Sequence, residues 1–136
     1  MARVNTMEYV TIASTGDVTD FGDLTAVRGR MGPGSSHTRG VMMGGENSIL
    51  NIIEYITIAT TANSTDFGDL TSTRKHGAGF SSLTRACLAG GITPSYVNTV
   101  DYITIASTGD AADFGDMIAT TGYSAGCSNG HGGLTS

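Results

Sequence analysis

Asn5–Thr15 reads NTMEYVTIAST, Asn51–Thr61 reads NIIEYITIATT and Asn98–Thr108 reads NTVDYITIAST. Their tyrosines, Tyr9, Tyr55 and Tyr102, stand 46 and then 47 residues apart. The same steps carry Asp20-Phe21-Gly22-Asp23-Leu24 onto Asp66-Phe67-Gly68-Asp69-Leu70 and onto Asp113-Phe114-Gly115-Asp116-Met117. Ser35-Ser36-His37-Thr38-Arg39 maps onto Ser81-Ser82-Leu83-Thr84-Arg85, and Gly44-Gly45 onto Gly90-Gly91. So many coincidences at one period define a tandem repeat, which outranks any element assigned one at a time. The units run over about 5–50, 51–97 and 98–136, the last incomplete, and together make a single repeat domain.

Within a unit the apolar period is two. In Tyr55-Ile56-Thr57-Ile58-Ala59, Ile56 and Ile58 point one way while Tyr55, Thr57 and Ala59 point the other. Thr84–Ala89 is a second short run, stopped by Gly90-Gly91. Phe67–Thr71 is a third and the glycine-rich Gly77–Leu83 a fourth. No segment carries a helical stripe. Four short strands per unit, each ended by Gly, Asn or Asp, predict an antiparallel up-and-down sheet. Such a sheet cannot bury both faces alone, so the units must stack, and stacking around an axis gives a propeller. The expected fold is therefore all-β: four-stranded blades, about three per chain, with a split terminal blade. Face-to-face packing accounts for small residues on the inner strands (Gly44, Gly45, Ala86, Ala89) and for Tyr55 and Phe67 on the outer ones.

The composition agrees. Charged residues are 14% of the 136, Gly numbers 20 and Trp is absent. That is too little charge for a disordered polyelectrolyte, and Gly and Thr with Val and Ile suit strands joined by tight turns. A net charge of −5 disfavours nucleic acid and anionic membrane surfaces, which are held by Lys and Arg. No apolar run approaches the roughly 20 residues of a membrane helix, so no membrane insertion is expected. Residues 1–20 lack the basic start and apolar core of a secretory signal. Cys87 and Cys127 fall in different registers and are read as buried small apolar residues, not a disulfide framework.

The order of landmarks resembles kelch repeats. Arg74, the Gly77–Ser82 strand, Cys87-Leu88-Ala89-Gly90-Gly91, Tyr102 and Phe114 fall in the family's sequence, and Arg28, Val41-Met42-Met43-Gly44-Gly45, Tyr55 and Phe67 repeat the set one unit earlier. Phe stands where the family usually has Trp. Near-identical arrays of this kind are also similar to kelch-like repeats of phage and environmental viral tail-fibre or virion-associated proteins. The resemblance implies a propeller, an interaction role and an extracellular or virion-surface location.

As strands, the chain reads c-d, a-b-c-d, a-b-c-d and then a partial a-b, with His131–Ser136 at the position of Thr84–Cys87 and beyond. Three blades are fewer than the four to eight of closed propellers. The expected partner is therefore the chain itself, either as a six-bladed dimer with completed split blades or as a head-to-tail filament. Cell-surface glycan is a further expected partner, bound by loop residues such as Glu46, Asn47, Tyr96 and Asn98, because loops on rigid scaffolds are where binding concentrates.

No catalytic residue, cofactor or metal site is expected, and the protein is read as not an enzyme. The repeated Asp-Phe-Gly lacks the accompanying kinase motifs and is read as a β-turn leading into the outer strand. Asp17, Asp20 and Asp23, echoed by Asn63, Asp66, Asp69 and by Asp110, Asp113, Asp116, offer oxygens for calcium as a weaker alternative, but the calcium-loop spacing and its terminal Glu are missing. Turn chemistry explains them better. His37, His76 and His131 do not recur in register, so they build no metal cluster. Ser35-Ser36 and Ser81-Ser82 lack the context of a hydrolase nucleophile. Arg28 with Arg74, and Arg39 with Arg85, share registers and are expected to pair with Glu54, Asp101 or Asp66. A ring of arginines around an anionic ligand is the alternative, weakened by Thr121 and Gly132 at the corresponding third-unit positions.

Overall fold

The computed structural model describes residues 3–128. Among these the secondary structure is entirely β, in three antiparallel sheets that follow one another along the chain. The first sheet pairs β1 (Thr6–Tyr9) with β2 (Thr19–Asp23). The second orders β3 (Gly32–Ser35), β4 (Arg39–Met43), β5 (Ile52–Thr57) and β6 (Thr65–Asp69). The third orders β7 (Ala78–Ser81), β8 (Arg85–Ala89), β10 (Ser95–Thr104) and β11 (Ala112–Thr121), with the two-residue β9 (Ile92–Thr93) also paired to β10. The predicted division into c-d, a-b-c-d and a-b-c-d is thus observed strand for strand. The chain forms no closed ring among the described residues, and the expectation for His131–Ser136 lies outside them.

Each full sheet buries alternate residues on opposite faces. Val41, Met43, Ile53 and Phe67 of the second sheet, with Leu70 just after its last strand, meet Ala86, Leu88 and Ile103 of the third, with Ile105 just after β10, in one core, and Tyr55 packs against it. The inner strands β3 and β7 approach so closely that a Cβ on Gly79 would lie 2.2 Å from the Pro33 carbonyl oxygen. Only glycine permits that spacing, and the small residues of the inner strands have this cause. Outward from there, tyrosine and phenylalanine meet edge to face three times. The centroid distances are 6.0 Å for Tyr9–Phe21, 5.9 Å for Tyr55–Phe67 and 5.8 Å for Tyr102–Phe114, a favoured aromatic geometry.

Three expectations are corrected. Asp-Phe-Gly lies inside the outer strand of each sheet, not in a turn before it. The pairing with the neighbouring strand skips Phe21, Phe67 and Phe114, beside glycines at φ of 141°, 145° and 135° for Gly22, Gly68 and Gly115, so the triplet encodes a β-bulge. The candidate strand Phe67–Thr71 accordingly begins earlier, at Thr65, and ends at Asp69. Cys87 is buried as expected, but Cys127 is exposed and lies after the last strand, with no sheet beyond it among the described residues.

Candidate functional site

The bulged residues Phe21, Phe67 and Phe114 lie opposite the steps into Glu8, Glu54 and Asp101, the residues at one repeat position. In the two full sheets this carboxylate meets the linker arriving from the preceding sheet. In the first linker, the Thr25 amide donates to Glu54 Oε1 at 2.7 Å, and the Thr25 hydroxyl donates to the same oxygen. Ser64 Oγ adds a third bond at 3.1 Å. Arg28 closes on Glu54 Oε2 and also donates to the carbonyls of Gly44 at 2.6 Å and Ile52 at 2.9 Å. Burial pushes the Glu54 carboxyl up, but the Thr25 hydroxyl and amide, the Arg28 charge and Ser64 outweigh it and hold the group below the ordinary carboxylate range.

The second linker repeats the device. The Thr71 amide and hydroxyl donate to Asp101 at 3.0 and 2.7 Å. Arg74 pairs with Asp101 and donates to the Thr99 carbonyl at 2.8 Å. Both ion pairs are fully buried. Arg28 and Arg74 therefore serve as bolts between linker and sheet, in the structural pairing expected with Glu54 and Asp101, and being buried they form no ligand ring. Asp66 takes no arginine among the described residues. Arg39 and Arg85 instead lie over the rings of Tyr55 and Tyr102, at 4.4 and 4.8 Å.

The device is interrupted at both ends. Glu8, equivalent to Glu54, is exposed, and among the described residues no hydrogen bond or ion pair reaches its carboxylate. Ile118 and Thr121 occupy the positions of Thr71 and Arg74, and Ile118 projects fully into solvent.

A second cluster lies where the loops meet. Glu46 receives Arg30 at 2.6 Å, Arg3 at 3.0 Å and Lys75 at 3.1 Å, with His76 Nε2 at 3.9 Å. Hydrogen bonds from Arg30 and Lys75 pull the Glu46 carboxyl down to about 2, while burial, and then the charge of Arg30, hold the His76 imidazole below its usual value. Arg30, His76 and Tyr123 all adopt left-handed backbone, with φ of 62°, 58° and 58°, which is uncommon for residues other than glycine. They share one repeat position and are joined in a ladder. The His76 amide donates to the Arg30 carbonyl at 3.2 Å and the Tyr123 amide to the His76 carbonyl at 3.0 Å, and the His76 and Tyr123 rings stand 4.0 Å apart. This column was not singled out from the sequence. Its signal was the 46- and 47-residue spacing, obscured because each unit places different chemistry there.

Of the loop residues expected to bind a ligand, Glu46 belongs to this ion cluster, Asn47 is exposed, and Tyr96 is exposed on the third sheet. Asn98 lies elsewhere in function: its Nδ2 donates to the Met117 carbonyl at 3.3 Å, as Asn5 does to Leu24 at 3.5 Å, so it ties the outer strand down. Of the calcium candidates, Asn63 and Asp110 accept the backbone amides of Asp23 and Asp69, each at 3.0 Å, linking one sheet to the next. Among the described residues no three His, Cys, Asp or Glu side chains stand close enough to hold a metal ion. Ser36 and Ser82 accept the amides of Arg39 and Arg85, each at 3.1 Å, and so shape hairpin turns.

No family model matches the chain, and no curated protein matches it.

Proposed function

We propose that this chain is a non-enzymatic structural and interaction repeat protein, a segment of kelch-like blades of the virion-associated or tail-fibre-like kind, which assembles by stacking further sheets of the same repeat on its open faces. A graded exposure at matched positions supports this reading. Ile103 and Ile105, covered by the second sheet, are 3% and 1% exposed, whereas Ile58, facing the two-stranded first sheet, is 46% exposed, and Val10 and Ile12 are 53% and 97% exposed. At the other end, Phe114 is 59% exposed where Phe21 and Phe67 are 9% and 2%. One repeat sequence is thus buried or bare according to whether a neighbouring sheet is present. Bare β-sheet edges and apolar faces are association surfaces.

Light scattering coupled to size exclusion across a wide concentration range tests the proposal. The expected result is a mass that rises above one chain with concentration and falls back in an Ile12→Lys/Ile58→Lys variant. A mass fixed at one chain throughout overturns self-assembly. A second reading, glycan binding by the loop face, is favoured by the exposed ring of Tyr96, since an exposed aromatic on a rigid sheet is a common sugar platform. A glycan array with wild type and Tyr96→Ala separates it from assembly alone.

A further inference from the structure

We infer that the open side of the first sheet is the receptor for a repeat unit whose linker carries Thr and Arg three residues apart, with Glu8 as the carboxylate that this linker closes upon. The inference rests on the assembly reading above and specifies the partner's chemistry.

The two internal junctions supply the template. In each, a Thr donates amide and hydroxyl to a carboxylate on the third strand of the following sheet, and an Arg three residues later pairs with that carboxylate. Glu8 presents the same kind of acid opposite the same bulge, but exposed and, among the described residues, unbridged. The strand edge is prepared in the same way. β5 has neighbours on both sides, in the register Val41↔Tyr55 and Met42↔Glu54, whereas β1 is paired only to β2 among the described residues. An incoming antiparallel strand in that register lies opposite Tyr9 and Glu8. Its Arg, if placed as Arg39 is over Tyr55, comes to rest on the half-exposed Tyr9 ring. Between the first and second sheets lies a groove of about 400 Å³ lined by Tyr9, Val10, Phe21, Ile56 and Ile58. At the next interface Val41 and Met43 of β4 pack in one core with Ile103 and Ile105, the counterparts of Ile56 and Ile58, so an added hairpin has an apolar seat as well as a charged one. Adding a strand to such an edge is an established mode of recognition.

The tail of a second copy offers this receptor its apolar face without the bolt. It brings Ile118 and Thr121 where the template has Thr and Arg, so docking tail to head puts no arginine at the template position against Glu8. The partner with the matching chemistry is a unit that carries the Thr and the Arg, whichever chain bears it.

The test measures association of trace-labelled wild-type chain with excess unlabelled wild type, and with an Ile118→Thr/Thr121→Arg variant whose tail carries the missing linker. Fluorescence anisotropy reads binding, and each arm is repeated with labelled Glu8→Gln chain. Circular dichroism and melting establish that these substitutions, two of them at exposed positions, leave the fold intact. The expected result is at least about tenfold tighter binding of the linker variant than of wild type, lost with Glu8→Gln, as for removal of one member of a desolvated charge pair. Wild type binding itself as tightly as it binds the variant, or Glu8→Gln changing nothing, overturns the inference and leaves self-assembly standing. No association in any arm overturns both.

Discussion

Strands β1 and β5 carry nearly the same residues, Thr-Met-Glu-Tyr in one and Ile-Ile-Glu-Tyr within the other, yet they live in different environments. β5 is flanked by β4 and β6, its Glu54 is fully buried, and a linker threads Thr25 and Arg28 onto that acid. Among the described residues β1 has one neighbour, and its Glu8 is exposed. A lone ionised carboxylate in a protein interior is costly, and removing one partner of a buried pair leaves that cost behind. The bolt is therefore a matching device as much as a stabiliser. A sheet whose linker lacks the arginine cannot close over the acid without penalty, so the same residue rewards a correct neighbour and penalises a wrong one.

Breaking this contrast has its largest effect at the bolt. Arg74→Ala leaves Asp101 buried with only Thr71 for company, and is expected to destabilise the chain by about 3–5 kcal/mol in urea unfolding. Glu8→Ala, at the same repeat position but in water, is expected to change stability by no more than about 0.5 kcal/mol. Comparable losses from the two would mean that the two strands are not distinguished by their neighbours. The apolar half of the contrast is next in size. Ile103→Ala removes methyl groups from the core between the second and third sheets and should cost about 2–5 kcal/mol. Val10→Ala, the matched change on the bare face, should cost almost nothing in the isolated chain, and the same unfolding curves read both.

Much of this was visible in the residues. The 46- and 47-residue spacing fixed the units, alternation located the strands, and the need of an amphipathic sheet for cover predicted stacking. Less legible was anything that depended on which sheet faces which. Four arginines in two registers were expected to seek Glu54, Asp101 or Asp66, but only the linker pair reaches an acid. Arg28 and Arg74 follow the outer strand and fall beside the next sheet's bulge, whereas Arg39 and Arg85 sit mid-sheet with a tyrosine as nearest neighbour. The bulge itself was misread as a turn, because Asp and Gly favour both and only the partner strand's register tells them apart. Of the residues weighed as a calcium alternative, Asn63 and Asp110 instead cap backbone amides of the preceding sheet, and Asp110 finds its partner, the Asp69 amide, 41 residues away, beyond the reach of local spacing.

A finer contrast separates the two stacked arginines. Arg85 lies over Tyr102 with no sheet beyond it among the described residues, so Arg85→Ala should cost about 0.5–1 kcal/mol for the lost cation–π contact. Arg39 covers Tyr55 and also donates to the Ile105 carbonyl of the next sheet at 2.8 Å, so Arg39→Ala should cost about 1 kcal/mol more. Equal losses would remove the inter-sheet bond from the account of stacking. The smallest effect belongs to the solvent-facing ion cluster. Since the Glu46 carboxyl is held at about 2 against an ordinary 4.5, the unfolded chain binds its proton first as pH falls. The stabilisation it contributes is whole above about 4.5 and drains away between there and about 2. His76, whose pKa is lowered by burial and then by Arg30, acts in the same direction from higher pH, because the unfolded chain takes up that proton more readily as well. Denaturation midpoints of wild type should therefore fall on acidification, and Glu46→Gln should flatten the part of the curve between 4.5 and 2 while steepening the part set by His76, whose pKa the Glu46 charge raises. A Glu46→Gln chain with the wild-type acid slope would assign that slope to the buried Glu54, whose carboxyl is also held low, and so return the pH dependence of the fold from its loop face to its bolts.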